Sequence, residues 1–174
     1  PNGLGTITAN GGNASATGAE LSMILRATDG LRAFFNYGYI DASFDDRDDR
    51  GNPQTLAGNR FRLTPEHSAS AGFDWRFGLG ESLVGYLRPS WNWRSQVYFE
   101  DQNQPGIEQA GYALVDVRAG VLFAGGRWDL GLFVKNAGGK EYLIDGGNTG
   151  QNFGLPTFIV GAPRHWGLEL TGRF

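Results

Sequence analysis

The feature that most constrains this chain is an alternation of apolar and polar residues, which recurs in seven runs along its 174 residues. Successive side chains of a β-strand point to opposite faces, so each run predicts a strand with one apolar and one polar face. Most runs exceed the roughly 5–6 residues of an ordinary strand and suit the roughly 9–11 that a tilted strand needs to cross a bilayer. They lie at about residues 14–27, 31–44, 61–77, 83–99, 111–124, 127–136 and 163–174.

The connections between these runs are short and long in turn. Residues 27–30, 78–82 and 124–127 are short, whereas 45–60, 100–111 and 137–163 are long. Outer-membrane barrels have this asymmetry, with short periplasmic turns and longer extracellular loops. The polar face carries mostly Arg, Asp, Ser, Asn, Gln and Gly, which favours a wet lumen over a solvated surface. We therefore expect an all-β protein, an antiparallel up-and-down transmembrane β-barrel.

The composition agrees with this fold and excludes several functions. The 28 Gly are expected to relieve crowding, and the 12 Phe, 6 Tyr and 5 Trp to form aromatic girdles near the strand ends. A net charge of −3 argues against a nucleic-acid partner, and the absence of Cys excludes disulfides and thiolate metal sites. Pro89 interrupts the fourth run, which predicts a β-bulge there.

Four short motifs along the chain resemble those of TonB-dependent receptors. Val134–Tyr142 resembles the V-x-N-L-x-D-K-x-Y segment of that family, and Gly161–Arg164 resembles the G-x-P-R that opens its last strand. Gly18–Leu21 and Thr64–His67 resemble its G-x-E-x and P-x-H motifs. The residues that carry the first two motifs are Asn136, Lys140, Tyr142, Pro163 and Arg164. The final run resembles the signal read by the barrel-assembly machinery, through Trp166, Leu168, Leu170 and Phe174.

This resemblance implies a 22-stranded barrel closed by an N-terminal plug domain. The whole chain, residues 1–174, is then the C-terminal portion of such a barrel, about seven strands without the plug. The implied role is barrel wall and extracellular loops for TonB-driven uptake of an iron–siderophore, cobalamin or saccharide across the outer membrane of a Gram-negative bacterium. The implied partners are outer-membrane lipid, the plug, TonB (through the missing N-terminal part), the barrel-assembly machinery and the nutrient ligand. No cofactor is implied.

The sequence offers few candidate sites. The loop at 143–160 is long enough to fold over the barrel mouth, and Asn148, Gln151, Asn152 and Phe153 are its candidate ligand contacts. The acidic segment 45–50 lacks the Gly and Glu of an EF-hand loop, and His67 and His165 lie far apart, so no metal site is expected. Charges on the polar face are expected to form cross-strand ion pairs that also touch the plug. The motifs of hydrolases, phosphate-binding loops and zinc proteases are missing, so we expect no enzyme.

Two other interpretations remain open from the sequence. The chain can be a small autonomous barrel of the OmpA type, with residues 4–9 as an eighth strand and a structural or adhesive role. It can also be a soluble β-protein such as a lipocalin-like carrier. A plug domain and further strands upstream favour the receptor, whereas a signal peptide directly upstream favours the small barrel.

Overall fold

The computed structural model describes residues 12–150 and 155–174, in which all helix-or-strand structure is β. No helix among these residues is long and apolar enough to span a bilayer. The strands of the described chain are β1 (Ala14–Thr28), β2 (Leu31–Phe44), β3 (His67–Gly78), β4 (Val84–Arg94), β5 (Val97–Tyr98), β6 (Glu108–Gln109), β7 (Tyr112–Phe123), β8 (Trp128–Lys135), β9 (Leu143–Gly150), β10 (Leu155–Val160) and β11 (His165–Gly172).

Seven of these strands form one antiparallel sheet in the order β1-β2-β3-β4-β7-β8-β11. Each long strand pairs with the next long strand of the chain, which is the up-and-down connectivity of a barrel wall. The sheet does not close on itself, because β1 and β11 are its two edges. The predicted all-β, antiparallel fold class is confirmed, as part of a barrel.

Two predicted strands extend five or six residues beyond the observed ones at one end. The third begins at His67 rather than residue 61. The segment before it does not continue the ladder: Phe61 N–H donates to Ala42 O near the end of β2, but Leu63 N–H donates to Tyr98 O, outside the main sheet. The fourth ends at Arg94 rather than residue 99, because Val97–Tyr98 leave the sheet and pair with β6. Period-two patterning does not distinguish a strand of the wall from a strand inside a loop.

The segment predicted as a long loop after the sixth strand contains a hairpin. β9 and β10 pair antiparallel as a separate two-stranded ribbon outside the main sheet. Its glycine content obscured the strand pattern, because Gly is normally depleted in strands. The proposed eighth strand at residues 4–9 lies outside the described residues.

The predicted bulge at Pro89 is wrong. Pro89 faces Val117 one-to-one in an unbroken register between β4 and β7. On its other side the register with β3 is the same before and after it, with Ser90 opposite Gly72 and Leu87 opposite Trp75. Proline lacks only the N–H, so the ladder can lose a hydrogen bond without gaining an extra residue.

The main sheet has one apolar and one polar face, as the alternation predicts. Leu21 on β1, Leu130 on β8 and Leu168 on β11 point to the apolar face and are 49%, 47% and 71% exposed. Aromatic rings meet at the short-turn end of the wall, where Trp128 packs against Phe123 and Phe174 with centroid distances of 6.4 and 5.7 Å. The expected aromatic belt is therefore present at this end.

Aromatic rings also lie over glycines of neighbouring strands, which explains why both residue types are abundant. A Cβ on Gly72 would come within 2.7 Å of the Phe34 ring, and one on Gly167 within 2.7 Å of Phe133. On the polar face, Tyr86 of β4 extends over Gly120 of β7 and reaches Gly131 of β8. Glycine thus supplies space for large rings on a crowded wall.

The most buried apolar residues of the described chain lie mainly outside the centre of the wall. Val97, Phe99 and Ile107, in the connection between β4 and β7, form a cluster against which Leu143 packs. Phe99 is only 1% exposed. The long connections therefore have a small hydrophobic core of their own.

Candidate functional site

The polar face forms ordered rows that cross several strands. One row consists of short hydroxyl and amide side chains at matching register positions on β1, β2, β3 and β4. The Asn36 amide donates to Ser70 Oγ at 3.1 Å. The members of this row are Ser22, Asn36, Ser70 and Asn92.

A recess of about 530 Å³ lies over this row, at the end of the wall nearest the long loops. Arg94 and Tyr112 also line it, and the Arg94 guanidinium lies 5.4 Å from the Tyr112 ring centroid. Tyr112 stacks on Tyr142 at 4.7 Å, which links the recess to the last long loop. The recess therefore offers a cation, an aromatic ring and short hydrogen-bonding groups to a solute.

Three long loops contact one another at this end of the wall; we define loop A as residues 45–66, loop B as 95–111 and loop C as 136–164. Asn103 of loop B, with a positive φ of 51°, connects it to loop A. Its side-chain oxygen accepts from Arg60 N–H at 2.7 Å, and its amide donates to Arg60 O at 2.9 Å. Asn59 Nδ2 donates to Asp101 O at 2.8 Å. Loops A and B are thus joined by backbone-directed hydrogen bonds.

Loop C is tied to loop B. Leu143 N–H donates to Gln109 Oε1 at 2.7 Å, and the Leu143 side chain packs on the Val97, Phe99 and Ile107 cluster. Phe99 also closes over Gly146, where a Cβ would come within 2.8 Å of its ring. The first strand of the loop C hairpin is therefore held close to loop B.

The family-motif residues cluster at the base of loop C. Asn136 Nδ2 donates to Lys140 O at 2.8 Å and to Ala162 O at 3.1 Å, and its Oδ1 accepts from Lys140 N–H at 2.8 Å. Tyr142 packs on Gly161, just before Pro163 and Arg164. The structure thus brings both motifs together, and Asn136 is the residue that connects them.

The candidate ligand contacts of loop C are only partly within the described chain. Gln151, Asn152 and Phe153 lie outside the described residues, and Asn148 is placed by its backbone, in β9. Their contact with a ligand stays a prediction. Thr157 and Phe158 of β10 face Gly147 and Gly146 of β9.

The proposed assembly residues lie on the outer face of the last strand. Trp166, Leu168 and Leu170 pair in register with Val134, Leu132 and Leu130 of β8, and all three are well exposed. Phe174 contacts the Trp128 ring and is otherwise open. Their recognition by assembly machinery stays a prediction.

Ion pairs join neighbouring strands on the polar face, as predicted. Lys135 contacts Asp116 at 2.8 Å, and Arg118 contacts Glu169 at 2.6 Å and Asp129 at 3.6 Å. Tyr86, nearly inaccessible to solvent, donates to Asp129 at 2.7 Å and accepts from Arg118 at 3.2 Å. The pairing connects β4, β7, β8 and β11 into one polar network.

The acidic tip of loop A forms a turn around one carboxylate. Asp48 Oδ1 accepts from Asn52 N–H at 2.8 Å and Arg50 N–H at 2.9 Å, and Oδ2 accepts from Asn52 Nδ2 at 3.0 Å. These bonds, led by that of the Asn52 side chain, lower the pKa of Asp48 from its usual 3.8. Within the described part of the chain, no group of three or more acidic or histidine side chains is placed to hold a metal ion.

Sequence reasoning missed several residues that organise this site. Asn103 and Asn59 join loops A and B, and Tyr86 anchors the ionic network, but none belongs to a motif. The available signal for Tyr86 was its position among charged residues on the polar face with glycines at 120 and 131. For Asn103, the only signal in the sequence was that Asn adopts a positive φ more readily than most residues.

Comparisons with known proteins agree with this architecture. Residues 1–137 match the family model described as TonB dependent receptor-like, beta-barrel. No curated protein sequence gives a significant match.

Solved structures match over nearly the whole chain. The ferric yersiniabactin uptake receptor FyuA from Yersinia pestis is 23% identical, with a TM-score of 0.80 over 92% of this chain and 24% of that one. The ferric preacinetobactin receptor BauA from Acinetobacter baumannii is 19% identical, with a TM-score of 0.69 over 91% and 22%. The siderophore receptor PiuA from the same organism is 17% identical, with a TM-score of 0.68 over 91% and 22%. At these identities the likeness is one of fold, and the chain spans about a quarter of each receptor.

Proposed function

Because this chain belongs to the TonB-dependent receptor-like β-barrel family, we propose that it forms one side of the wall and three external loops of an outer-membrane uptake receptor. In this proposal the chain is the C-terminal portion of the barrel. The intact receptor carries a plug, is energised through TonB, and is located in the outer membrane of a Gram-negative bacterium. The apolar face contacts lipid, and β11 is the strand that the barrel-assembly machinery recognises.

The observation that carries this proposal is the recess on the polar face, at the end of the wall from which the long loops extend. A transport wall must present polar groups to a solute on one face while it exposes apolar side chains to lipid on the other. The recess over the row containing Ser22 and Asn92 extends to Pro65 of loop A. Loops A, B and C are cross-linked at the same end of the wall through Asn103 and Leu143. In this proposal the recess is the solute-binding surface of the wall.

We propose a ferric siderophore as the transported solute rather than cobalamin or a saccharide. The support comes from the solved structures that resemble this chain, two of which are named as receptors for ferric chelates. The exposed Arg94 on the Tyr112 ring gives the recess a cation that suits the carboxylate or phenolate oxygens of such a chelate. Asn148, Gln151, Asn152 and Phe153 of loop C are the proposed contacts from above.

An uptake assay with the full-length receptor tests this function. Cells that lack other iron receptors should accumulate radiolabelled iron from at least one siderophore of a chemically varied panel when TonB is present. Accumulation should disappear when TonB is deleted. Equal accumulation with and without TonB would overturn the proposal, as would an intact protein that lacks a plug.

A pair of variants tests the role of the recess. Arg94→Gln removes the cation that lines it and should lower siderophore binding to whole cells severalfold. Arg127→Gln is the matched control, since Arg127 lies in the short turn at the opposite end of the wall and its guanidinium donates locally to Ala124 O. Equal binding by the two variants would place the ligand elsewhere.

A further inference from the structure

Arginines accumulate in one register row of the polar face. Arg26 of β1 lies directly opposite Arg32 of β2, which in turn lies opposite Asp74 of β3. Farther along, Arg88 of β4 lies opposite Arg118 of β7. The row therefore holds four arginines and one carboxylate.

The available carboxylates neutralise only part of this row. Asp74 contacts Arg88 at 3.1 Å and Arg76, from the neighbouring row, at 3.6 Å. Arg118 is neutralised by Glu169 and Asp129. Asp74 is thus already shared by two guanidinium groups, although it faces Arg32 in register.

Arg26 and Arg32 are left as an exposed pair of like charges. Among residues 12–150 and 155–174, neither forms an ion pair with a carboxylate. The remaining residues, 1–11 and 151–154, contain no Asp or Glu in the sequence. Like charges directly opposite each other on a sheet are destabilising. The chain therefore supplies no ion-pair partner for Arg26 or Arg32, and a group that pairs with them comes from outside the chain.

The position of Arg32 restricts where that counter-charge can come from. β2 is hydrogen-bonded to β1 on one side and to β3 on the other, so no further barrel strand can lie beside it. The pair is also close to the short turn at Asp29 and Gly30, at the far end of the wall from the three long loops. A group that neutralises Arg32 has to reach it from the interior, near the periplasmic end.

We propose that the Arg26–Arg32 pair is a docking site for an acidic segment of the plug domain. This inference rests on the proposed function, because it requires a plug inside the barrel. Two guanidinium groups at adjacent strand positions can hold one or two carboxylates by charge-assisted hydrogen bonds. The pair would thereby fix one side of the plug to the wall.

Site-specific photo-crosslinking in the full-length receptor tests the docking site. A p-benzoylphenylalanine at position 32 should crosslink to a plug peptide that contains Asp or Glu, identified by mass spectrometry. The matched control is position 33, where Ala33 points to the outer, lipid-facing side and should give no plug peptide. Three outcomes would overturn the proposal. They are a crosslinked plug peptide without acidic residues, crosslinks to barrel strands alone, and no crosslinked peptide from position 32.

Charge variants supply a second measurement. Arg32→Glu should loosen the plug and raise the ion conductance of the purified receptor in planar bilayers severalfold, while Arg32→Lys should stay near the wild-type conductance. Unchanged conductance in Arg32→Glu would overturn the docking site. These results would contradict the docking site alone. The proposed function would instead fail if the intact protein had no plug or if its uptake did not depend on TonB.

Discussion

At the scale of single residues, Asn136 determines how loop C leaves the wall. It ends β8 with a φ of 49°, a left-handed conformation that Asn adopts more readily than most residues. Its side chain is 4% exposed and bonds the backbone at both ends of the loop, at Lys140 and Ala162. One side chain thus joins the two ends of loop C by hydrogen bonds to their backbone.

We predict that Asn136→Ala destabilises the folded receptor by about 1–3 kcal/mol, because the three hydrogen bonds of a buried amide to Lys140 and Ala162 are lost. The measurement is the temperature at which the full-length protein loses its compact band in unheated SDS gels. Asn36→Ala, which loses one partly buried hydrogen bond to Ser70 Oγ, is the control and should have a smaller effect. Equal shifts for both variants would contradict the role assigned to Asn136.

Asp48 gives the tip of loop A a dependence on pH. Because the folded turn lowers the pKa of its carboxyl from 3.8, the carboxylate stabilises the turn above pH 3.8. This stabilisation is lost as the pH falls through the lowered pKa. We predict that amide exchange in a peptide covering residues 44–59, corrected for the intrinsic rate, rises in this range below pH 3.8. Asp48→Asn should abolish the pH dependence, and an identical profile in that variant would refute the assignment.

At the scale of elements, the Tyr86 side chain of β4 passes over Gly120 of β7 and contacts β8. Tyr86 lies over Gly120 to reach Asp129, and its ring also carries the Arg88 guanidinium at 4.4 Å. A side chain at position 120 would overlap the Tyr86 hydroxyl and the Leu130 carbonyl. The contact that Tyr86 makes between β4, β7 and β8 therefore requires that position 120 has no side chain.

We predict that Gly120→Ala destabilises the receptor by about 1–3 kcal/mol, as expected for overpacking against a fixed backbone. The matched control is Gly138→Ala, since a Cβ there meets no atom within 4 Å, and its effect should stay within about 0.5 kcal/mol. Thermal loss of the compact SDS-gel band measures both. A neutral Gly120→Ala would mean that Tyr86 does not occupy this position in the folded receptor.

At the scale of the whole molecule, the wall exposes its apolar face and leaves its last strand unpaired on one side. Leu168, Trp166 and Leu170 of β11 belong to this exposed apolar face, and β11 is an edge of the sheet. Unpaired strand edges promote association with other chains, so barrels close to remove them. We therefore expect another strand to pair with this edge of β11 in a closed barrel.

We predict that deletion of Phe174 in the full-length protein lowers its outer-membrane amount severalfold, because the terminal aromatic is part of the proposed assembly signal. Phe174→Tyr keeps an aromatic ring and should retain assembly. Phe123→Ala removes an aromatic at the same end of an internal strand and serves as the control. Quantitative immunoblots of outer-membrane fractions measure the effect. Normal levels of the deletion variant would argue against the signal.

Much of the wall is predictable from local sequence, because strand periodicity is a local property. Alternation at Leu21, Leu130 and Leu168 assigned the apolar face correctly, and the short turns near 29, 80 and 125 separated the strands. The register pairs confirm the polar and apolar faces that this alternation predicts. The ends of β3 and β4 were not predictable, because their neighbours in loops A and B are distant in sequence.

The sequence by itself determined the fold class, the two faces of the wall and the family, since all three depend on patterns within a strand or a short motif. Only the tertiary structure decided that loops A, B and C pack together, that Tyr86 bridges three strands, and that Pro89 stays in register. Only the register showed that Arg26 and Arg32 face each other while Asp74 is already paired. The physical reason is that contacts between strands depend on their pairing, which a one-dimensional pattern does not contain.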